Sequence, residues 1–317
     1  MSKLTAEIHT PVLEKEVVDA LVTNKSGAYL DVTSGSGGHS ARILERLDSA
    51  GRLFAVDRDS EAVSQTTAAT NAYAGQALVL RGKFSQLVQL AQENRFPPLN
   101  GILFDLGMSS YHIDTVARGF SYQSDGPLDM RMSRDSARTA VDLVNDAPEE
   151  TLARVIKALG EERTAKRIAR SISRLRAKQP LVMTSDLRRA VEATAPKMPT
   201  KTLARVFQAI RMWVNEELEE LEAALRAAKK LLPDRGRVAF IAYHSLEDRQ
   251  VKAFFGALAR GCICPPKVPV CVCGQVPEFT KILRCRASAE EVQRNPRARS
   301  AIMRVFERIP NAGRETP

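Results

Sequence analysis

Three short apolar runs, each closing on an acid and a polar turn, fall in the first third of the chain: AYLDVTSG (28–35), RLFAVDRD (52–59) and GILFDLGMSS (101–110). Their β-branched and aromatic content predicts strands, and the segments Ser40 to Leu47 and Ser60 to Ala72 between them predict helices. Strands that alternate with helices imply right-handed crossovers and a parallel sheet covered on both faces. A fourth run, RVAFIAYHS (237–245), resumes the pattern only after a gap of more than 120 residues. The gap is helical by pattern: PEETLARVIKALG and EERTAKRIARSISRLRAK carry apolar residues at spacings of three and four, and Pro180, Pro196 and Pro199 punctuate the next stretch. The expectation is an α/β sheet domain formed by 1–112 and 213–317, interrupted by a mainly helical insertion over 113–212. NEELEELEAALRAAKKLL (215–232) predicts one long amphipathic helix that packs on the sheet, with Leu218, Leu221, Leu225 and Leu232 on one stripe and Gly236 beyond its end.

The turn after the first strand, TSGSGGHS, combines with an acid at the end of the next, Asp57, 20 residues after Gly37. Such a strand, glycine turn and helix bind nucleosides, and the acid accepts the ribose hydroxyls. A dinucleotide and S-adenosylmethionine both satisfy it. The dinucleotide fingerprint wants a third small residue for close helix packing where this chain has Ser40. A further acid, Asp105 in FDLG, arrives at the carboxyl edge of the sheet, where a chemically active residue sits; a capping or turn aspartate is the alternative.

Charge changes the picture. The net charge is +10, but Arg154 to Arg211 alone holds 15 Lys/Arg against 4 Asp/Glu. A basic block of that size attracts polyanions by displacing condensed counterions, and nucleic acid is the usual partner; solvated helix faces are the other reading. No run approaches the length of a membrane span and the polar start lacks a signal-peptide core, so a cytoplasmic protein is expected. All five cysteines follow residue 260, which fits a reducing compartment. Four of them, Cys262, Cys264, Cys271 and Cys273, offer enough thiolates for a tetrahedral zinc site; a redox-labile loop and plain thiols stay open.

The blocks TSGSGGHS, AVDRD, GKFS, DLGMSS, RGFS, DGPLDMRM, GEER, RIAR, HSLEDR and NPRARSA occur in one order from about His9 to Glu307. In that order the chain resembles the bacterial 16S ribosomal RNA cytosine-N4 methyltransferase family. The resemblance implies a class I, Rossmann-like methyltransferase domain with a helical insertion for RNA recognition. It also implies S-adenosylmethionine as methyl donor and, as partner, a cytidine of 16S ribosomal RNA in the small ribosomal subunit. Carried over by position, the family's cofactor contacts fall on Gly37, Gly38, His39, Asp57, Phe84, Asp105 and His112. At 112 the family usually has Gln, and this chain departs from it.

Methyl transfer to an amine asks the protein mainly to align donor and acceptor at roughly 3–3.5 Å. The cytosine amine is a poor nucleophile, its lone pair being delocalised, and a carboxylate that accepts one amino hydrogen favours attack. Asp105 is the candidate catalytic residue. Methylation at carbon 5 needs a cysteine nucleophile, and no cysteine precedes Cys262. The target base must leave its stack. Asp125, Asp129 and Arg131 of the RGFS and DGPLDMRM region, with His244 and Ser245 of HSLEDR, are the candidate substrate contacts; a structural salt-bridge cluster and a satisfied strand-end histidine are their alternatives. Arg163, Arg167, Arg170 and Arg174, read as one helix, are candidates for phosphate contacts. Arg297 and Arg299 are either a second contact or an anchor for the last strand.

Overall fold

The computed structural model describes residues 11–261, 264–265, 270 and 272–310. The chain divides into two compact units: residues up to Gly107 with those from Glu220 on, and Met108–Glu219. In chain order the first unit begins with α1 (Glu14–Leu21), β1 (Ala28–Asp31), α2 (Gly38–Arg46), β2 (Arg52–Asp57), α3 (Ser60–Ala69), β3 (Ala77–Arg81), α4 (Leu87–Glu93) and β4 (Leu99–Asp105). The second unit holds α5 (Ser110–Asp114), α6 (Ala140–Asp146), α7 (Glu149–Gly160), α8 (Ala165–Arg176), α9 (Thr184–Glu192) and α10 (Pro199–Asn215). There follow α11 (Glu217–Leu231), β5 (Arg237–Ala242), α12 (Ser245–Leu258), β6 (Phe279–Arg286), α13 (Ala289–Arg294) and β7 (Ile302–Arg308).

The sheet has seven strands in the order β3-β2-β1-β4-β5-β7-β6. The first five run parallel, β7 is antiparallel to β5, and β6 is antiparallel to β7. The fold is therefore α/β with a mostly parallel sheet. Both faces are buried, which is why the strand sequences are continuously apolar. Leu30, Phe54, Ile102, Phe104, Val238 and Phe240 meet Leu221, Leu225 and Ala228 of α11 and Phe255 of α12. Tyr29, Leu53, Leu103 and Ile241 meet Val17 and Leu21 of α1 and Ile43 and Leu44 of α2.

Strand ends fall earlier than the apolar runs suggest, because the terminal acids fold the chain off the sheet. Asp31 Oδ1 accepts from Thr33 N at 3.2 Å, and Asp57 Oδ1 accepts from Asp59 N at 2.9 Å. These are side-chain-to-backbone turns of the kind aspartate favours. Asp31 is fully buried; Ser40 Oγ donates to its Oδ2 at 2.7 Å. Ser40, the residue that departs from the dinucleotide fingerprint, thus has a buried partner of its own.

The long helix expected over 215–232 is present as α11 and packs on the sheet as expected; it is separated from α10 at Glu216, whose φ of 52° is left-handed. No glycine or proline marks this break. Asn215 stabilises it by donating to Arg211 O at 2.9 Å and Met130 O at 2.7 Å, and Arg211 pairs with Glu217 across it at 2.7 and 2.8 Å. A correction concerns 161–178. Glu161 is left-handed and Glu162, buried, accepts from Thr164 N and Oγ1, so α8 starts only at Ala165. Arg163 falls in the preceding turn, and only Arg167, Arg170 and Arg174 share the helix.

Gly37 caps α2 with φ 85°. A Cβ there would lie 2.7 Å from Ala69 Cβ and 3.0 Å from Thr66 Cα, so the bare backbone is required by the packing of α3 against the turn. Gly37→Ala is expected to lower unfolding free energy by about 1–3 kcal/mol, from the left-handed φ and the displaced helix together. Urea denaturation checks it, and an unchanged midpoint would contradict the packing requirement.

Candidate active site

In a parallel sheet the strands on either side of the point where the winding direction reverses leave a crevice at their carboxyl ends. Here that point lies between β1 and β4, because the chain winds outward from β1 to β3 and returns to pair β4 with β1. The polar residues of the first unit collect at this edge. Thr33 and the glycine turn follow β1, Asp57 ends β2, Asp105 ends β4, and Tyr243 follows β5.

The turn is held by hydrogen bonds that define its shape. Gly37 N donates to Ser34 O at 2.7 Å, Ser34 N to Val56 O at 3.2 Å, and Thr66 Oγ1 to Gly35 O at 3.1 Å. Gly35 N donates to Asp57 Oδ2 at 3.0 Å. Two backbone N–H groups, those of Gly35 and Asp59, thus orient the Asp57 carboxylate. Gly38 is the first residue of α2 and His39 the second. Phe84 begins the short helical turn after β3 and packs edge-on against Phe104, ring centroids 5.7 Å apart. Glu220 of α11 receives both the N–H and the hydroxyl of the adjacent Ser85 at 3.0 Å.

Asp105 is gripped from several directions. Its N–H donates to Thr33 Oγ1 at 2.6 Å, tying β4 to the end of β1. Tyr243 donates its hydroxyl to Oδ1 at 2.8 Å. His39 Nε2 stands 3.5 Å from Oδ2, within ion-pair range but out of line for a hydrogen bond. Burial opposes a charge on His39, but the Asp105 carboxylate outweighs it and Asp31 adds to the effect, so the imidazole is held above its ordinary value. Burial, with the Asp105 charge adding, pushes the Tyr243 phenol well above its ordinary range, so it remains a donor.

The fit of this edge to a nucleoside ligand rests on unsatisfied atoms. Ser34 Oγ and His39 Nδ1 are buried without a hydrogen-bond partner among the described residues. Such orphans are costly unless something else supplies the partner. The second carboxylate, Asp105 at the end of β4, would repel a pyrophosphate and attract a sulfonium. That favours S-adenosylmethionine over a dinucleotide.

The other sequence candidates have local surroundings of their own. His112 sits in α5 of the second unit, buried, with Nδ1 3.1 Å from Ser109 Oγ and its ring 5.1 Å from that of Phe120. Asp129 and Arg131 form a two-pronged pair at 2.8 and 2.9 Å, and the same guanidinium donates to Arg134 O and Ser136 O. Asp125 is apart from them, accepting from Ser185 N at 3.1 Å at the start of α9. Buried Arg118 donates to Arg131 O and Met132 O, and a Cβ on Gly119 would fall 2.0 Å from Pro127 O. The RGFS and DGPLDMRM blocks therefore form one hydrogen-bonded knot.

His244 is the N-cap of α12: its Nδ1 accepts from Glu247 N at 3.5 Å, while buried Glu247 accepts from Tyr243 N at 2.9 Å. Ser245 is the exposed first residue of that helix. Arg297 is half-buried and Arg299 exposed in the short helical turn before β7. Of the cysteine cluster, Cys264 and Cys273 are half-buried; Cys262 and Cys271 lie outside the described residues.

Tyr243 escapes a reading of the sequence, where a tyrosine before HSLEDR carries no chemical signal. Thr33 likewise reads only as part of a polar turn.

The model of the MraW methylase family matches residues 6–309. A protein of Heliobacterium modesticaldum named ribosomal RNA small subunit methyltransferase H is 44% identical over 308 residues, 95% of this chain and 98% of that one. A protein of the same name from Syntrophotalea carbinolica is 41% identical over 314 residues, 96% and 100% of the two chains. Among solved structures, an rRNA methylase from Streptococcus thermophilus aligns with 93% of each chain at 10% identity and a TM-score of 0.41, too slight a likeness to carry weight.

The raised imidazole gives a direct check on the geometry. His39 is expected to titrate above about 6.5, its ordinary value, and its titration is expected to move down in Asp105→Asn, where burial is no longer offset by that charge. By linkage, the contribution of His39 to stability is full below its unfolded value and lost as pH rises through its folded value. NMR titration of the His39 ring reads both; equal titration in the two proteins would contradict the pairing.

Proposed function

The chain belongs to the MraW methylase family, and we propose that it methylates the exocyclic N4 of a cytidine in 16S ribosomal RNA, acting on the small ribosomal subunit. The observation that carries this reading is the Asp105 carboxylate, fixed at the reversal point of the sheet beside a glycine turn with unsatisfied buried atoms.

S-adenosylmethionine, when bound, supplies a methyl carbon made electrophilic by its sulfonium, the bonding pair leaving with sulfur. Asp57 accepts the ribose hydroxyls, and Phe84 offers its ring to the adenine. Gly37, Gly38 and His39, with the first N–H groups of α2, line the turn. Asp105 accepts one amino hydrogen of the cytosine, which concentrates the nitrogen lone pair for attack; the nitrogen gains the methyl carbon and gives up that proton to the carboxylate.

The helical residues 113–212 serve as the RNA-recognising insertion. The exposed Arg167, Arg170 and Arg174 of α8 are its candidates for phosphate contacts. His112 keeps the cofactor contact that family position gives it, and Asp125, Asp129, Arg131, His244 and Ser245 remain the candidates for substrate contact. A zinc ion held by Cys262, Cys264, Cys271 and Cys273 belongs to the same reading as a structural staple for the loop, outside the chemistry. Among the described residues no helix is long and apolar enough to cross a membrane.

Incubation with methyl-labelled S-adenosylmethionine and unmodified 30S subunits, with free 16S RNA in parallel, tests the reading when the labelled nucleotide is mapped. The expected product is N4-methylcytidine at one position. Asp105→Asn is expected to slow single turnover at saturating donor by roughly 10²–10⁴-fold. Label on carbon 5 or on protein, or an undiminished rate in the variant, would overturn it.

A further inference from the structure

Tyr243 is the polar side chain of the sheet edge that neither the sequence motifs nor the proposed chemistry uses. Its placement is over-determined. Its N–H donates to the buried Glu247 at 2.9 Å, and Glu247 is itself fixed as the third residue of the His244-capped α12. The ring lies beside the bare backbone of Gly107, where a Cβ would be 3.5 Å from Tyr243 Cδ2. From that seat the hydroxyl reaches across from the end of β5 to the end of β4 and donates to Asp105 Oδ1 at 2.8 Å.

A carboxylate on a single rotatable bond pair would otherwise swing, and a base that swings loses the alignment on which proximity catalysis depends. Thr33 fixes the Asp105 backbone through its N–H, which leaves the carboxylate's rotation unset. The phenol sets it. With Oδ1 engaged by Tyr243, Oδ2 is turned to the side where the His39 ring stands at 3.5 Å.

We propose that Tyr243 is a positioning residue for methyl transfer: its hydroxyl holds Asp105 Oδ1 so that Oδ2 is the oxygen presented to the amino hydrogen of the acceptor. This rests on the reading of Asp105 as proton acceptor. The phenol itself transfers no proton. Its raised titration keeps it a donor through the range in which the enzyme works.

The experiment is a double-mutant cycle on the full-length enzyme with 30S subunits, read as single-turnover rate at saturating S-adenosylmethionine. Tyr243→Phe is expected to slow the rate roughly 10- to 100-fold, the worth of a hydrogen bond to a charged acceptor. Asp105→Asn alone is expected to be slower still. The double variant is expected to be no slower than Asp105→Asn, because Tyr243 acts only through that carboxylate. A wild-type rate for Tyr243→Phe beside a slow Asp105→Asn refutes the positioning role and leaves the base reading standing. Losses that multiply in the double variant refute it too, since they place Tyr243 outside the Asp105 pathway. A wild-type rate for Asp105→Asn refutes the base and the positioning with it.

Should Tyr243→Phe fail to fold, fluorotyrosines of graded acidity at position 243 replace it. A more acidic phenol donates more strongly and makes Asp105 a weaker base, so the rate is expected to fall along the series. A flat series, which a merely structural tyrosine would give, overturns the proposal.

Discussion

The pairing of β1 with β4 is the constraint from which the active edge follows. Because the chain winds outward from β1 and then returns to lay β4 on its other side, no crossover covers the carboxyl ends of these two strands. Both end in aspartate, Asp31 and Asp105. The hydrogen bond from Asp105 N to Thr33 Oγ1 fastens the two ends together just beyond the last ladder pairs. Shift that register by one residue and every side chain changes face, which would turn Asp105 away from both Tyr243 and His39.

Electrostatics at this edge suit a cation. Asp57 and Asp105 close β2 and β4, and the imidazole beside Asp105, His39, is held above its ordinary value by that carboxylate against the effect of burial. At Asp31 burial prevails: it raises the carboxyl, and Ser40 offsets part of that cost by donating to the ionised form. The acids therefore divide by depth. The buried one braces the turn through Ser40 and Thr33, and the two at the strand ends are oriented by backbone N–H groups and by Tyr243.

Much of this is legible in the amino-acid sequence. Strands β1, β2, β4 and β5 lie buried on both faces, so their sequences are unbroken apolar runs closed by turn residues. The edges are not legible. β3 (ALVLR) has no fully buried position on either face, and β6 (FTKILRCR) is exposed along most of its length, so neither shows the alternation that marks a strand with one buried face. The break between α10 and α11 rests on a left-handed glutamate and on the distant backbone of Met130, neither of which leaves a local signal. At the site, acids at strand ends and a glycine-rich turn announce Asp57, Asp105 and Gly37. The reason for Gly37 is hidden, because contact with Ala69 and Thr66 of α3 is a tertiary fact. Asp129 and Arg131 read in sequence either as substrate contacts or as a structural salt-bridge cluster, and in the fold they pair with one another.

If this sheet edge seats an adenosyl sulfonium with its reactive carbon toward Asp105, a crystal structure of the protein with S-adenosylhomocysteine shows it most directly. The expected complex has the ribose hydroxyls on Asp57, the adenine against Phe84 and the sulfur on the Asp105 side of the glycine turn. A ligand bound away from the β1–β4 edge, or one that leaves Asp57 without contact, would contradict it.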